Sequence, residues 1–233
     1  MRTRPVTQPT TQPRLVEVRQ KVLKRNDLLA RELRDRFNAA GVYVVSLVSS
    51  PGSGKTAFLE KTLSLLMPKA RVAALVGDLA TDNDAVRLAR SMAPVRQITT
   101  GTVCHLDAEM VVKALDGWKL EELDLLFIEN VGNLVCPSSY DLGENLRTVL
   151  MSVTEGEDKP LKYPTIFNTA DLAIISKTDL AEAVEFDWEV ARRNINSVRP
   201  GMEVIAISSK TGEGMQGWMD WLASAAGLRI SSP

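Results

Sequence analysis

The chain has 233 residues, 45% of them hydrophobic and 24% charged, which suits one α/β domain with a substantial core. A formal net charge of −1 argues against non-specific nucleic-acid or membrane-surface binding, and no apolar run reaches the roughly 18 residues of a membrane span. Two cysteines do not make a disulfide framework, so a cytoplasmic protein is expected.

Residues 1–14, "MRTRPVTQPTTQPR", are basic but lack the apolar segment of a secretory signal, and their Pro, Thr and Gln content reads as a disordered tail. A single domain is expected over 15–233. Leu15, Val18, Val22, Leu29, Leu33 and Phe37 recur at helical spacing until Gly41, which predicts a helix over about 15–40 with a charged, solvated outer face. Strands are predicted at 42–48, 71–77, 95–99, 123–129, 147–153, 172–176 and 203–208. Helices are predicted near 54–67, 82–92, 107–117, 187–198 and 214–227. Most of the strand segments carry consecutive apolar residues without alternation, as strands covered on both faces do. Strand–helix alternation of this kind predicts a doubly wound, mostly parallel sheet, with ligands bound beyond the carboxyl ends of the strands.

The first chemical motif stands at such an end. "SSPGSGKT", Ser49 to Thr56, matches the phosphate-loop pattern of nucleoside triphosphatases, with Ser49 in place of the usual first glycine. Gly52 and Gly54 let backbone N–H groups turn inward around phosphate oxygens at the positive end of the next helix. Lys55 can reach the β- and γ-phosphates, and the Thr56 hydroxyl suits Mg²⁺. Gly52, Ser53, Gly54, Lys55, Thr56 and Ala57 are the nucleotide contacts expected here.

Asp78 ends the second strand in "GDLATDNDA", a position suited to Mg²⁺ or to a water bound to it. The plainer alternative is capping of the next helix, a reading that weighs more on Asp84. Glu129, in "LLFIENVG", ends the strand expected beside the phosphate-loop strand, where small GTPases carry D-x-x-G. Its carboxylate suits the hydration sphere of Mg²⁺, and the Gly132 N–H suits a γ-phosphate sensor. Lys55, Asp78 and Glu129 are therefore the catalytic candidates, and Thr56, Asp78 and Glu129 the magnesium set.

Further along, Lys177 and Asp179 in "ISKTDL" follow a buried strand and resemble the guanine motif N-K-x-D, with Ser176 at the asparagine position. A carboxylate at Asp179 can accept from both N1–H and the exocyclic amine of guanine, a pair that adenine lacks. Ser209 and Lys210, in "ISSKTGEGM", resemble the second guanine-side loop. In this order behind a phosphate loop, the two segments favour GTP over ATP.

The only histidine, His105, follows Cys104 in "TTGTVCHLDAEM", and the second cysteine, Cys136, lies in "ENVGNLVCPSSY". Each alone is as ordinary as a buried core residue. Together they fall in two loops that leave carboxyl strand ends on the nucleotide face. Thiolate and imidazole donors suit Ni²⁺ or Zn²⁺ and suit Mg²⁺ poorly. Three donors are too few for a closed structural zinc site and fit an open site, or one shared across a two-fold axis.

From about Asn26 onward the chain resembles the nickel-inserting HypB GTPases of NiFe-hydrogenase maturation. The likeness is carried by "SSPGSGKT", "GDLATDNDA", "TTGTVCHLDAEMV", "FIENVGNLVCPSSYDLGE", "VTEGEDKPLKYP" and "ISKTDL". The resemblance implies a phosphate-loop fold of the signal-recognition and MinD-like class, slow regulatory GTP hydrolysis to GDP and phosphate, and nickel or zinc on Cys104, His105 and Cys136. It also implies a GTP-promoted homodimer, with a HypA-like chaperone and a hydrogenase large subunit as partners. Some relatives carry an N-terminal cysteine motif or a histidine-rich stretch; this tail has neither, so delivery rather than nickel storage is expected. Two alternatives stand beside this reading. One is an accessory GTPase for urease or a cobalamin enzyme. The other is a small-molecule kinase with a structural metal, against which stands the lack of an arginine-rich lid.

Overall fold

Continuous apolar runs become parallel strands, buried except at the two edges of the sheet. The computed structural model describes residues 12–78 and 83–228; the tail reading for 1–11 and the 79–82 part of "GDLATDNDA" lie outside them. The strands are β1 (Tyr43–Ser49), β2 (Val72–Asp78), β3 (Val95–Thr99), β4 (Leu125–Glu129), β5 (Leu146–Ser152), β6 (Leu172–Ser176) and β7 (Glu203–Ala206). All pair in parallel, in one sheet of order β3-β2-β4-β1-β5-β6-β7. Each lies within about two residues of its predicted span, the usual uncertainty of an element boundary.

The helices are α1 (Gln12–Ala40), α2 (Lys55–Leu66), α3 (Asn83–Leu88), α4 (Ala108–Ala114), α5 (Lys159–Lys162), α6 (Pro164–Thr169), α7 (Trp188–Val198) and α8 (Met215–Ala226). On one face of the sheet Phe58 and Leu63 of α2 and Trp218 of α8 bury Val45 and Leu47. On the other, Leu33 and Phe37 of α1 and Val111 of α4 cover Val44, Leu75 and Ile128. Phe167 of α6 and Ile195 of α7 cover Val149 and Ile175 on the same side. Among the described residues no helix is long and apolar enough to cross a membrane.

Two features depart from the sequence expectation. Helices α5 and α6 have no counterpart in it: each begins on a proline-bearing first turn and is too short to write a helical period. The apolar stripe of α1 is buried only in its second half, since Leu33 is 2% exposed but Val18 is 58% and Val22 48%. At 29 residues α1 is about 44 Å long, against about 23 Å for a seven-residue strand, so its first half overshoots the sheet.

Where α1 passes the sheet edge, polar contacts pin it to two loops. Buried Asn26 donates from Nδ2 to the Asp141 carbonyl (2.9 Å) and accepts from the Ala108 N–H (2.9 Å). Arg34 pairs with both carboxylate oxygens of Asp141 (2.7 and 2.8 Å). Burial opposes the Asp141 charge, but the Arg34 guanidinium and the Gly143 N–H outweigh it and hold its pKa below the ordinary aspartate value.

A carboxylate depressed in this way contributes stability above its unfolded pKa and loses it as pH falls through the folded one. Urea unfolding should therefore show stability declining from about pH 4 downward. Asp141→Asn should flatten that decline and lower stability at neutral pH; an unchanged acid profile would mean that this pair does not fasten α1.

Candidate functional site

The phosphate loop is a tight turn between β1 and α2. Gly52 and Gly54 hold φ of 77° and 90°, left-handed values that glycine adopts without strain. The turn delivers Lys55 and Thr56 to one acceptor: Glu129 Oε1 receives the Lys55 ammonium at 3.0 Å and the Thr56 hydroxyl at 2.6 Å. Register explains the meeting, since β4 lies beside β1 as expected and Glu129 is paired with Leu47 there and with Val76 of β2.

Several polar atoms around this turn find no partner among the described residues: Glu129 Oε2, Ser50 Oγ and Ser53 Oγ. Ser50 and Ser53 line a cavity of about 490 Å³ together with Gly52, Gly54, Lys55, Thr56, Ala57, Asp78, Asp84 and Gly132. Buried polar groups without partners are rare, and here they border a space that can supply partners. Asp78 is the last residue of β2 and stands at the cavity wall. Gly132 is pressed against the loop: a Cβ on it would lie 3.1 Å from the Pro51 backbone.

On the guanine side, Ser176 Oγ donates to the Ser53 carbonyl at 2.6 Å, and Lys177 Nζ donates to the Gly52 carbonyl at 2.7 Å. The serine at the asparagine position thus still bridges to the phosphate loop. Asp179 Oδ1 accepts from Ser208 Oγ at 2.6 Å, and Lys210 Nζ stands 3.9 Å from Asp179 Oδ2. Ser209 and Lys210 line a groove of about 440 Å³ that shares Ala57 and Arg87 with the phosphate cavity. The support that Ser208 gives to Asp179 was not foreseen, although it is the first serine of the "SSK" segment.

The cysteines and the histidine meet. Cys104 and His105 lie between β3 and α4, and Cys136 opens a 3-10 turn (Cys136–Ser139) beyond β4. The ligand atoms of all three lie within 4.8 Å of one another. The two sulfurs are free thiols in contact at 2.9 Å, and His105 Nδ1 is buried without a partner among the described residues. Burial lowers the His105 pKa, which favours the neutral imidazole whose lone pair a metal takes. Contact with the Cys104 thiol, then burial, pushes the Cys136 thiol up, so a cation here must displace protons. Two thiols and an imidazole suit nickel or zinc, whereas Thr56, Asp78 and Glu129 offer the oxygen donors that magnesium prefers. Sequence reasoning missed Tyr140, whose ring lies against His105 with centroids 3.9 Å apart and planes tilted by 34°; its only signal was its place four residues after Cys136.

Residues 43–206 match the family described as "CobW/HypB/UreG, nucleotide-binding domain". The hydrogenase maturation factor HypB of Azotobacter chroococcum is 48% identical over 222 residues, covering 94% of this chain and 72% of the relative. The crystal structure of HypB from Helicobacter pylori in complex with nickel superposes with a TM-score of 0.83 at 41% identity, over 89% of this chain and 98% of that one. The signal recognition particle 54 kDa protein of Aeropyrum pernix, bound to GDP, is similar in fold alone (TM-score 0.57, 15% identity, 80% of this chain and 46% of that one).

Lys55 is a buried ammonium with a buried counter-ion, its side chain 10% exposed and that of Glu129 1%. Glu129→Leu should therefore destabilise the fold by about 3 kcal/mol, the low end for a broken buried pair because the ammonium borders an open cavity. Glu129→Gln keeps an acceptor and should cost less. Urea midpoints measure both, and equal losses would show that charge pairing is not what holds Lys55.

Proposed function

The chain belongs to the HypB hydrogenase maturation factors of the CobW/HypB/UreG family, and on that premise we propose that it is a slow GTPase that carries nickel to a NiFe-hydrogenase. The observation that carries this reading is the convergence of Cys104, His105 and Cys136 within 4.8 Å, beyond the strand end that also bears Glu129.

GTP lies with its phosphates in the glycine loop and its base against Asp179, whose carboxylate accepts from the N1–H and the amine of guanine. Lys177 lays its stem beside the base while its ammonium braces Gly52. Thr56, Glu129 and Asp78 are the residues to hold magnesium, which when bound neutralises charge on the β- and γ-phosphate oxygens. Lys55 supports the same oxygens as water attacks the γ-phosphorus and the bond to GDP breaks. Among the described residues no strong base adjoins the cavity, in keeping with a switch rather than a fast catalyst.

The cargo ion, nickel or zinc, sits on the two thiolates and the imidazole. Three protein donors leave a coordination position for a transfer partner or for a second copy across a two-fold axis. A GTP-promoted homodimer, a HypA-like chaperone and a hydrogenase large subunit fit those roles.

Two experiments separate the base site from the cargo site. Asp179→Asn places a donor against the guanine amine, so GTP should weaken by roughly 3 kcal/mol while xanthosine triphosphate gains. A variant that still prefers GTP would refute the guanine assignment. For the cargo, Cys136→Ala should abolish stoichiometric nickel binding and Cys104→Ala should nearly do so. His105→Ala should weaken binding but leave thiolate coordination, and binding to the unaltered protein should fall with acidity as the ligands take up protons. All three variants should keep guanine-nucleotide binding. Unchanged nickel and zinc binding in both cysteine variants would leave a GTPase without this cargo.

A further inference from the structure

The three candidate donors do not share one loop. Cys136 lies on the stretch that starts at Glu129, whereas Cys104 and His105 lie on the separate stretch between β3 and α4. A change at the phosphate cavity that displaces Gly132 reaches Cys136 along the chain. It reaches the other two donors only through contacts between the stretches.

Two asparagines make those contacts. Asn130, 1% exposed, uses Oδ1 to accept from the Leu106 N–H at 2.9 Å and from its own neighbour Val131 N–H at 2.9 Å. Asn133 donates from Nδ2 to the Cys104 carbonyl at 3.3 Å, and its Oδ1 accepts from the Val135 N–H at 2.8 Å. The bridges therefore grip the main chain on either side of His105. Between the two asparagines in sequence lies Gly132, against Pro51 of the phosphate loop. Leu106 itself is fully buried against β2, so close to Gly77 that a Cβ there would lie 2.8 Å from Leu106 Cγ. The donor-bearing stretch is thus anchored at Leu106 and gripped from across at both flanks of His105.

We propose that Asn130 and Asn133 are positioning residues that transmit the nucleotide state at Gly132 to the Cys104–His105 loop, so that all three donors move together. The inference rests on the GTP-switched carrier reading and names the groups that couple its two sites. Neither asparagine is a metal ligand or a nucleotide contact in this scheme.

Couplings between sites of this kind are typically about 5–150-fold, and they are reciprocal. The test is equilibrium nickel binding, with nickel alone as the probe, to the full-length protein loaded with a non-hydrolysable GTP analogue or with GDP. The ratio of the two affinities is the readout, because a residue that merely stabilises the fold shifts both affinities alike. The unaltered protein should show a ratio of at least about 5. Asn133→Asp keeps the acceptor for Val135 but removes the donor to the Cys104 carbonyl and to the Cys136 thiol, and it should bring the ratio to within about 2-fold of unity. Asn130→Asp keeps the acceptor for Leu106 and should preserve the ratio, whereas Asn130→Ala should abolish it. Because Asn133→Asp leaves the buried Asn130 contacts in place and should still lose the ratio, the result stands even where neither Asn130 variant folds.

A wild-type ratio in Asn133→Asp, or a lost one in Asn130→Asp, would overturn the inference and leave the carrier reading intact. No nucleotide dependence in the unaltered protein, with nickel still held by the cysteines, would overturn both the switch and its transmitters.

Discussion

A carboxylate with no exposed surface, at the end of a strand buried along its whole length, is unstable as an anion unless something pairs it. Glu129 is paired by Lys55 and Thr56, the first two residues of α2. That contact ties the phosphate loop to β4, while the chain itself joins it to β1. A third strand joins through Ser176 and Lys177 at the end of β6, which take the Ser53 and Gly52 carbonyls. With its Gly52 and Ser53 carbonyls held, the loop lines the cavity with Ser50 and Ser53, whose buried hydroxyls find no partner among the described residues. An oxygen-rich anion satisfies such a surface better than any apolar ligand does.

The thiol–imidazole cluster depends on β1 as well, by a longer route. Ser46, in the middle of that strand, donates to Glu144 Oε1 at 3.0 Å, and Arg147 donates to the same oxygen at 2.7 Å. Arg147 then donates from Nη2 to the Tyr140 carbonyl at 2.8 Å, holding the main chain that carries the ring beside His105. Asn26 closes the frame by bonding α1 to the loop after His105 and to the loop after Tyr140. Each of these groups is polar and at least partly buried, and each is satisfied by another, so the frame carries few unpaired groups to offset its desolvation.

What the sequence revealed follows from what such contacts require. Strands covered on both faces write unbroken apolar runs, and a glycine-rich turn before Lys-Thr writes a local pattern, so the sheet and the phosphate loop were legible. Cys104, His105 and Cys136 were legible because their side chains occur nowhere else in the chain. The hydrogen bond from Ser176 to Ser53 spans 123 positions and depends on strand register, which no local pattern encodes. Asn130, Asn133 and Tyr140 are common residue types whose importance lies only in what faces them. For α1 the helical spacing was real, but spacing reports a face and not what covers it, and Val18 and Val22 remain exposed.

Strand order adds a last constraint. The two stretches that carry the cluster leave β3 and β4, which are not neighbours, because β2 lies between them. Beneath the cluster, therefore, is the end of β2, where the Asp78 carbonyl accepts from the Thr100 N–H at 2.9 Å, at the root of the Cys104 loop. Asp78 is also part of the phosphate cavity wall. Any shift of Asp78 or Gly132 therefore acts at the root of one donor loop or along the other. Two donor loops rooted at the wall of one cavity, and joined by the Asn130 and Asn133 bridges, give a shift at that wall a path to all three side chains.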